Sequence, residues 1–140
     1  MKSRIILFAI SLFPLLLSQT LPQEIADDNM LAKEACIKTL LGGISTENLG
    51  LQAGCAFMLG ELCCKRSVIT LLDILHNNPS EELRILAALS LYKIGDSRGI
   101  FAIRQAIKFD KSERVSRLCE KFYKSYIYRG DNTEAEIALK

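Results

Sequence analysis

The sequence repeats itself. A shift of 32 residues sets Leu51, Cys55, Ala56, Phe57, Leu59, Leu62, Arg66, Val68, Leu71 and Leu75 over Leu83, Ala87, Ala88, Leu89, Leu91, Ile94, Arg98, Ile100, Ile103 and Ile107. Apolar side chains fall on apolar ones, and arginine falls on arginine. A further shift brings Val115, Leu118, Cys119, Phe122, Tyr123 and Tyr126 onto or beside the same positions, and a backward shift sets Cys36, Ile37 and Leu40 on Val68, Ile69 and Leu72. A period of this length marks a small supersecondary unit that cannot bury its apolar faces alone, so neighbouring units must stack into one continuous core.

Within each unit the apolar residues recur at spacings of three and four, the mark of amphipathic helices, and no stretch alternates as a half-buried strand would. Six helices are expected. The first spans about Asp28 to Leu41 and closes at Gly42-Gly43, and the second spans about Thr46 to Leu62 with Ser45 or Thr46 as its cap. A third, Ser67 to His76, stops at Asn77-Asn78-Pro79. Ser80 caps the fourth, with Glu81 and Glu82 favourably placed against its positive end. Gly95-Asp96 ends that helix, Ser97 caps the fifth through about Lys108, and Ser112 caps the sixth. The expected fold is all-α, a short right-handed solenoid of stacked antiparallel helix pairs.

The chain opens MKSRIILFAISLFPLLLSQTLPQ, in which Lys2 and Arg4 precede an apolar run from Ile5 to Leu17. That run is shorter than the roughly 20 residues a spanning helix needs, and Ser18 and Thr20 offer small residues at a cut. Residues 1–20 therefore read as a signal peptide, residues 21–129 as the repeat domain, and residues 130–140 as a polar C-terminal tail. Export would deliver the protein to a periplasmic or extracellular space.

The segment LRILAALSLYKIGDSRGIFAIRQAI resembles the HEAT-like repeats, in the short form also found in phycobilin lyases. The resemblance rests on Leu83, Ala87, Ala88, Leu91, Ile94, Gly95-Asp96, Ile100 and Ile103, and it covers about 90 residues. It implies that Ala87 and Ala88 let paired helices approach closely, that Gly95-Asp96 forms the turn between them, and that the module binds proteins. Glu61-Leu62-Cys63-Cys64 departs from the pattern at the corresponding turn. The relation to bilin lyases also implies an alternative, a lyase-type or cofactor-handling enzyme, but pigment attachment takes place inside the cell and the signal segment argues against it.

Charge narrows the partners. Past residue 20 the chain carries 16 basic and 16 acidic side chains, without the basic excess of a nucleic-acid-binding domain. The balance is uneven along the chain: residues 93–129 hold ten basic and four acidic side chains, whereas residues 21–92 hold five and nine. In the last helix Arg114, Arg117, Lys121 and Lys124 share a side away from the apolar stripe of Val115, Leu118, Cys119, Phe122 and Tyr123, and Arg104, Lys108 and Lys111 lie just before them. These four are the candidate binding residues, for an unidentified protein partner or an anionic surface, with self-association through the stack ends as a further option. No catalytic, cofactor or metal constellation is expected. His76 reads as a helix-terminal surface residue and the acidic pairs Asp27-Asp28 and Glu81-Glu82 as helix starts. Cys36, Cys55 and Cys119 fall in core register, while Cys63 and Cys64 fall in a turn.

Overall fold

In the computed structural model the backbone is described for residues 21–138 and the side chains for residues 30–130. The expected signal segment lies outside the described residues. Among them the structure is entirely helical, with α1 (Leu21–Gly43), α2 (Leu49–Glu61), α3 (Val68–Asn77), α4 (Glu81–Ile94), α5 (Ser97–Phe109) and α6 (Glu113–Ala138), plus one 3-10 turn at Lys65–Ser67. Contacts divide the chain into two units, Met1–Cys36 and Ile37–Lys140. The described part of the first is the opening stretch of α1. Apart from the start of α1 and the exposure of Cys36, the features below belong to the second.

The helix starts recur at the interval of the sequence repeat. Asn48, Ser80 and Ser112 accept hydrogen bonds from the backbone N–H groups of Leu51, Leu83 and Val115, at 3.0, 3.4 and 3.4 Å. Each satisfies one of the donors that a helix start leaves without an intrahelical partner. Two sequence expectations are corrected. Asn48, not Ser45 or Thr46, caps α2, because Thr46 Oγ1 instead donates to Gly43 O in the turn after α1. Asp96, not Ser97, caps α5, accepting from Arg98 N at 3.0 Å. α1 also begins earlier than the expected Asp28, and α6 continues to Ala138 through the polar segment that starts at residue 130.

α2 packs on α4, α4 on α6 and α3 on α5, and the consecutive pairs α3–α4, α4–α5 and α5–α6 pack as well. α4 lies at the centre and touches α2, α3, α5 and α6. Its Ala87, Ala88 and Leu91 are fully buried, as are Ala56, Leu59, Val68, Leu71, Ile103, Val115 and Cys119 from the surrounding helices. Burying each Leu, Ile or Val side chain contributes about 1.5–3 kcal/mol. Where α2 crosses α4 the backbones are close: a Cβ on Gly60 would stand 2.8 Å from Ser90 Cα, and Ser90 Oγ donates to Ala56 O at 2.8 Å.

Arg84 is the largest fully buried side chain among the described residues. Its Nε and Nη2 donate to the two carboxylate oxygens of Asp110, each at 3.0 Å, and its Nη1 donates to Asn78 O and Pro79 O at 2.9 and 3.1 Å. The guanidinium thereby joins α4 to the turn before it and to the turn between α5 and α6. Burying such a group is tolerable only when its charge and its donors are matched.

Candidate functional site

α3 carries more apolar residues than one face can bury. Leu71, Ile74 and Leu75 enter the core, leaving Ile69 exposed and Leu72 half-buried on another side with exposed His76. α5 is similar. Ile100, Ile103 and Ala106 turn inward, while Arg98, Phe101, Gln105 and Phe109, spaced by three or four residues, share a side of the helix. Phe101 is 60% exposed and Phe109 76%.

Where these sides meet, two cavities open end to end. One, of about 500 Å³, is lined by Leu72 and His76 from α3 and by Ser97, Arg98, Phe101, Ala102 and Gln105 from α5. The second, of about 290 Å³, is lined by Leu75, His76, Arg84, Gln105, Ala106, Phe109, Asp110 and Lys111. His76 and Gln105 border both, so the two form one groove that follows α5 for about three turns, roughly 16 Å from Arg98 to Phe109. A third cavity of about 320 Å³ lies between α5 and α6, lined by Ile100, Phe101, Arg104, Tyr123, Tyr126 and Ile127, with Ser97 at its edge. Phe101 is the ridge between that cavity and the groove.

The charges around the groove are asymmetric. Asp110 is engaged by Arg84 and Asp96 by Arg98, at 3.0 and 2.9 Å, and the Arg98 guanidinium and N–H hold the Asp96 carboxyl below its ordinary range. Asp73 accepts a hydrogen bond from Asn77 at 2.7 Å. Among the described residues Lys108 and Lys111 have no acidic partner. The larger cavity is thus mainly apolar with Phe101 in its wall, whereas the smaller one mixes apolar side chains with Arg84, Gln105, Asp110 and Lys111.

The four residues chosen from sequence occupy a different surface. Arg114, Arg117, Lys121 and Lys124 are all exposed on α6, within one arc of the helix. Arg114 pairs with Glu82 at 3.1 Å, Arg117 with Glu113 at 3.7 Å and Lys124 with Glu120 at 2.7 Å. Hydrogen bonds from its own backbone N–H and from Ser80, with Arg114 adding, hold Glu82 below the usual carboxylate range. Lys124 does the same for Glu120. Three of the four cations are therefore matched locally. None of the four lines the groove.

The cysteines separate in the same way. Cys55 and Cys119 are buried as their register predicts, and burial, with Asp110 adding, pushes the Cys119 thiol up to about 12. Cys36 is exposed, a correction to its expected core position. Its register with Val68 and Ile100 does not carry over because it precedes the part of α1, from Ile37 to Leu41, that packs on the core. Cys64 is buried and Cys63 exposed in the turn after α2, with Cys63 Sγ donating to Lys93 O at 3.6 Å. No group of three His, Cys, Asp or Glu able to hold a metal occurs among the described residues, nor is any described helix long and apolar enough to cross a membrane.

Sequence reasoning missed both the groove and the Arg84–Asp110 pair. A signal existed for the first: Val68, Ile69, Leu71, Leu72, Ile74 and Leu75 surround too much of α3 for a single buried stripe. For the second, only an arginine in the first turns of an otherwise apolar helix stood out. No protein-family model matches the sequence, and no curated protein is significantly similar to it.

Proposed function

We propose that this protein is an exported, non-catalytic interaction or scaffold module, a short solenoid of helix pairs of the HEAT-like kind. The recurrence of caps at Asn48, Ser80 and Ser112 and the packing of alternate helices support the repeat reading. The apolar N-terminal run behind Lys2 and Arg4 supports export. One observation carries the binding reading: the groove between α3 and α5 leaves Phe101 and Phe109 in water. Exposed apolar surface of this kind, rimmed by polar groups, is characteristic of docking sites.

Site-specific photocrosslinking in the source cells tests the reading. A photoreactive phenylalanine analogue replacing Phe101 should yield a discrete crosslinked protein that mass spectrometry identifies reproducibly. The same analogue replacing Glu47, exposed ahead of α2, should not. An absence of discrete adducts from position 101 would remove the basis for a protein-binding role of this face.

A further inference from the structure

We propose that the occupant of the α3–α5 groove is an acidic amphipathic helix of a partner protein. This rests on the interaction reading above and adds the chemistry of the ligand. The two cavities share His76 and Gln105 and lie along one helix, so they call for two anchors one or two turns apart on a single face, an apolar one in the larger cavity and one of mixed character in the smaller. About 500 Å³ accommodates a large aromatic or a pair of aliphatic side chains, and about 290 Å³ takes one more. A helix laid in a groove presents such anchors at spacings of three, four and seven residues. Charge decides its polar face. The nearby carboxylates of Asp96 and Asp110 are already engaged by arginines, whereas Lys111, which lines the smaller cavity, and Lys108, seven residues past Phe101 on the same side of α5, have no acidic partners among the described residues. A basic helix meets repulsion there, and an acidic one finds two charge partners.

A random display library of peptides of about 16 residues, long enough for four helical turns, is selected on the immobilised full chain. Enriched peptides are expected to be acidic and to carry large apolar residues at spacings of three or four. The best of them, labelled and followed by fluorescence anisotropy, should bind about tenfold more weakly to Phe101→Asp, which loses an aromatic anchor point, and more weakly to Lys111→Glu. Binding to the wild type should weaken as salt rises. Phe101 and Lys111 are exposed, so both variants should melt as the wild type does. Enrichment of basic or neutral peptides, no enrichment above blank resin, or winners indifferent to Phe101→Asp would overturn the proposal. So would binding to phosphatidylglycerol vesicles that depends on Phe101 while no peptide is enriched. A discrete crosslink from position 101 combined with any of those peptide results would leave the interaction role standing and discard only the acidic helix.

Discussion

The stretches 48–79 and 80–111 are two executions of the same plan, and they differ in their chemistry at three matched places. Asn78 donates to Gln52 at 3.5 Å, while 32 residues later Asp110 and Arg84 form a buried ion pair. Both side chains also hold the next cap, since Asn78 Oδ1 and Asp110 Oδ1 accept from Ser80 N and Ser112 N at 2.9 and 2.8 Å. The turn after the first helix of each stretch has a left-handed residue, Cys63 at φ 48° and Gly95 at φ 68°. Gly60 touches Ser90 in the α2–α4 contact, and their counterparts Tyr92 and Phe122 stack at 5.9 Å in the α4–α6 contact. Position is kept and chemistry is not. A polar latch, a left-handed turn and a filled crossing are what the fold requires, and each can be met by more than one set of residues.

The latch offers the largest test. Asp110→Ala strands the Arg84 cation among buried atoms, which costs about 3–5 kcal/mol, a large fraction of a small domain's stability. Urea unfolding should show it directly. Arg84→Gln combined with Asp110→Asn installs the chemistry of the first latch and should recover more than half of the loss. If the double variant is no better than Asp110→Ala, the two latches are not equivalent and the comparison fails at its strongest point.

The helix crossings give the next largest effect. Gly60→Ala places a methyl group 2.8 Å from the Cα of Ser90. Backbone cannot rotate out of the way as a side chain can, so α2 must shift from α4, at about 1–3 kcal/mol. Thermal melting measures the loss. A variant as stable as the wild type would mean that the α2–α4 spacing is looser than the α4–α6 spacing set by the aromatic pair.

At the turns the expected changes are smaller and opposite in sign. A residue with a Cβ at φ near +60° is disfavoured by about 1 kcal/mol relative to glycine. Gly95→Ala should therefore destabilise by about that amount, and Cys63→Gly should stabilise by up to about the same. Should Cys63→Gly instead destabilise, the Cys63 thiol contact with Lys93 O contributes more than the backbone strain costs.

These three places also show what the sequence could and could not reveal. The helices were legible because Ser80, Ser112, Gly95 and Asn78-Pro79 act within one or two residues of where they stand. The buried positions of Ala87, Ala88, Leu91 and Ile103 were legible because period and spacing agreed. Arg84 was not, since its partner is 26 residues away and the pair exists only once α5 has packed. Cys63 gave no sign of a left-handed turn, because cysteine does not favour one and packing imposes it. The groove was hidden for a related reason: Phe101 and Phe109 have the composition of core residues, and only the arrangement of α3 and α5 leaves them outside. The basic stripe on α6 was seen as a cluster, but one of its three neutralising partners, Glu82, comes from a different helix.

That stripe should give the smallest effect, and its size measures how far ion pairing masks it. Glu82 and Glu120 have carboxyl pKa values held below the ordinary 4.5 by their hydrogen bonds. The sign follows from that direction. The pairs with Arg114 and Lys124 contribute fully above the usual carboxylate range and are lost only as pH falls through the lowered values. At neutral pH they hold two of the stripe's cations back from any external anion, and exposed charges are further screened within about 8–10 Å at physiological salt. Glu82→Gln and Glu120→Gln should each release a cation and lengthen retention on a cation-exchange column at pH 7. Glu47→Gln removes the same charge from an exposed site distant in sequence from the stripe, and so sets the increase due to net charge alone. If Glu82→Gln and Glu120→Gln elute with Glu47→Gln, the ion pairs do not mask the stripe, and Arg114, Arg117, Lys121 and Lys124 are as available to an anionic partner as Lys111 is at the groove.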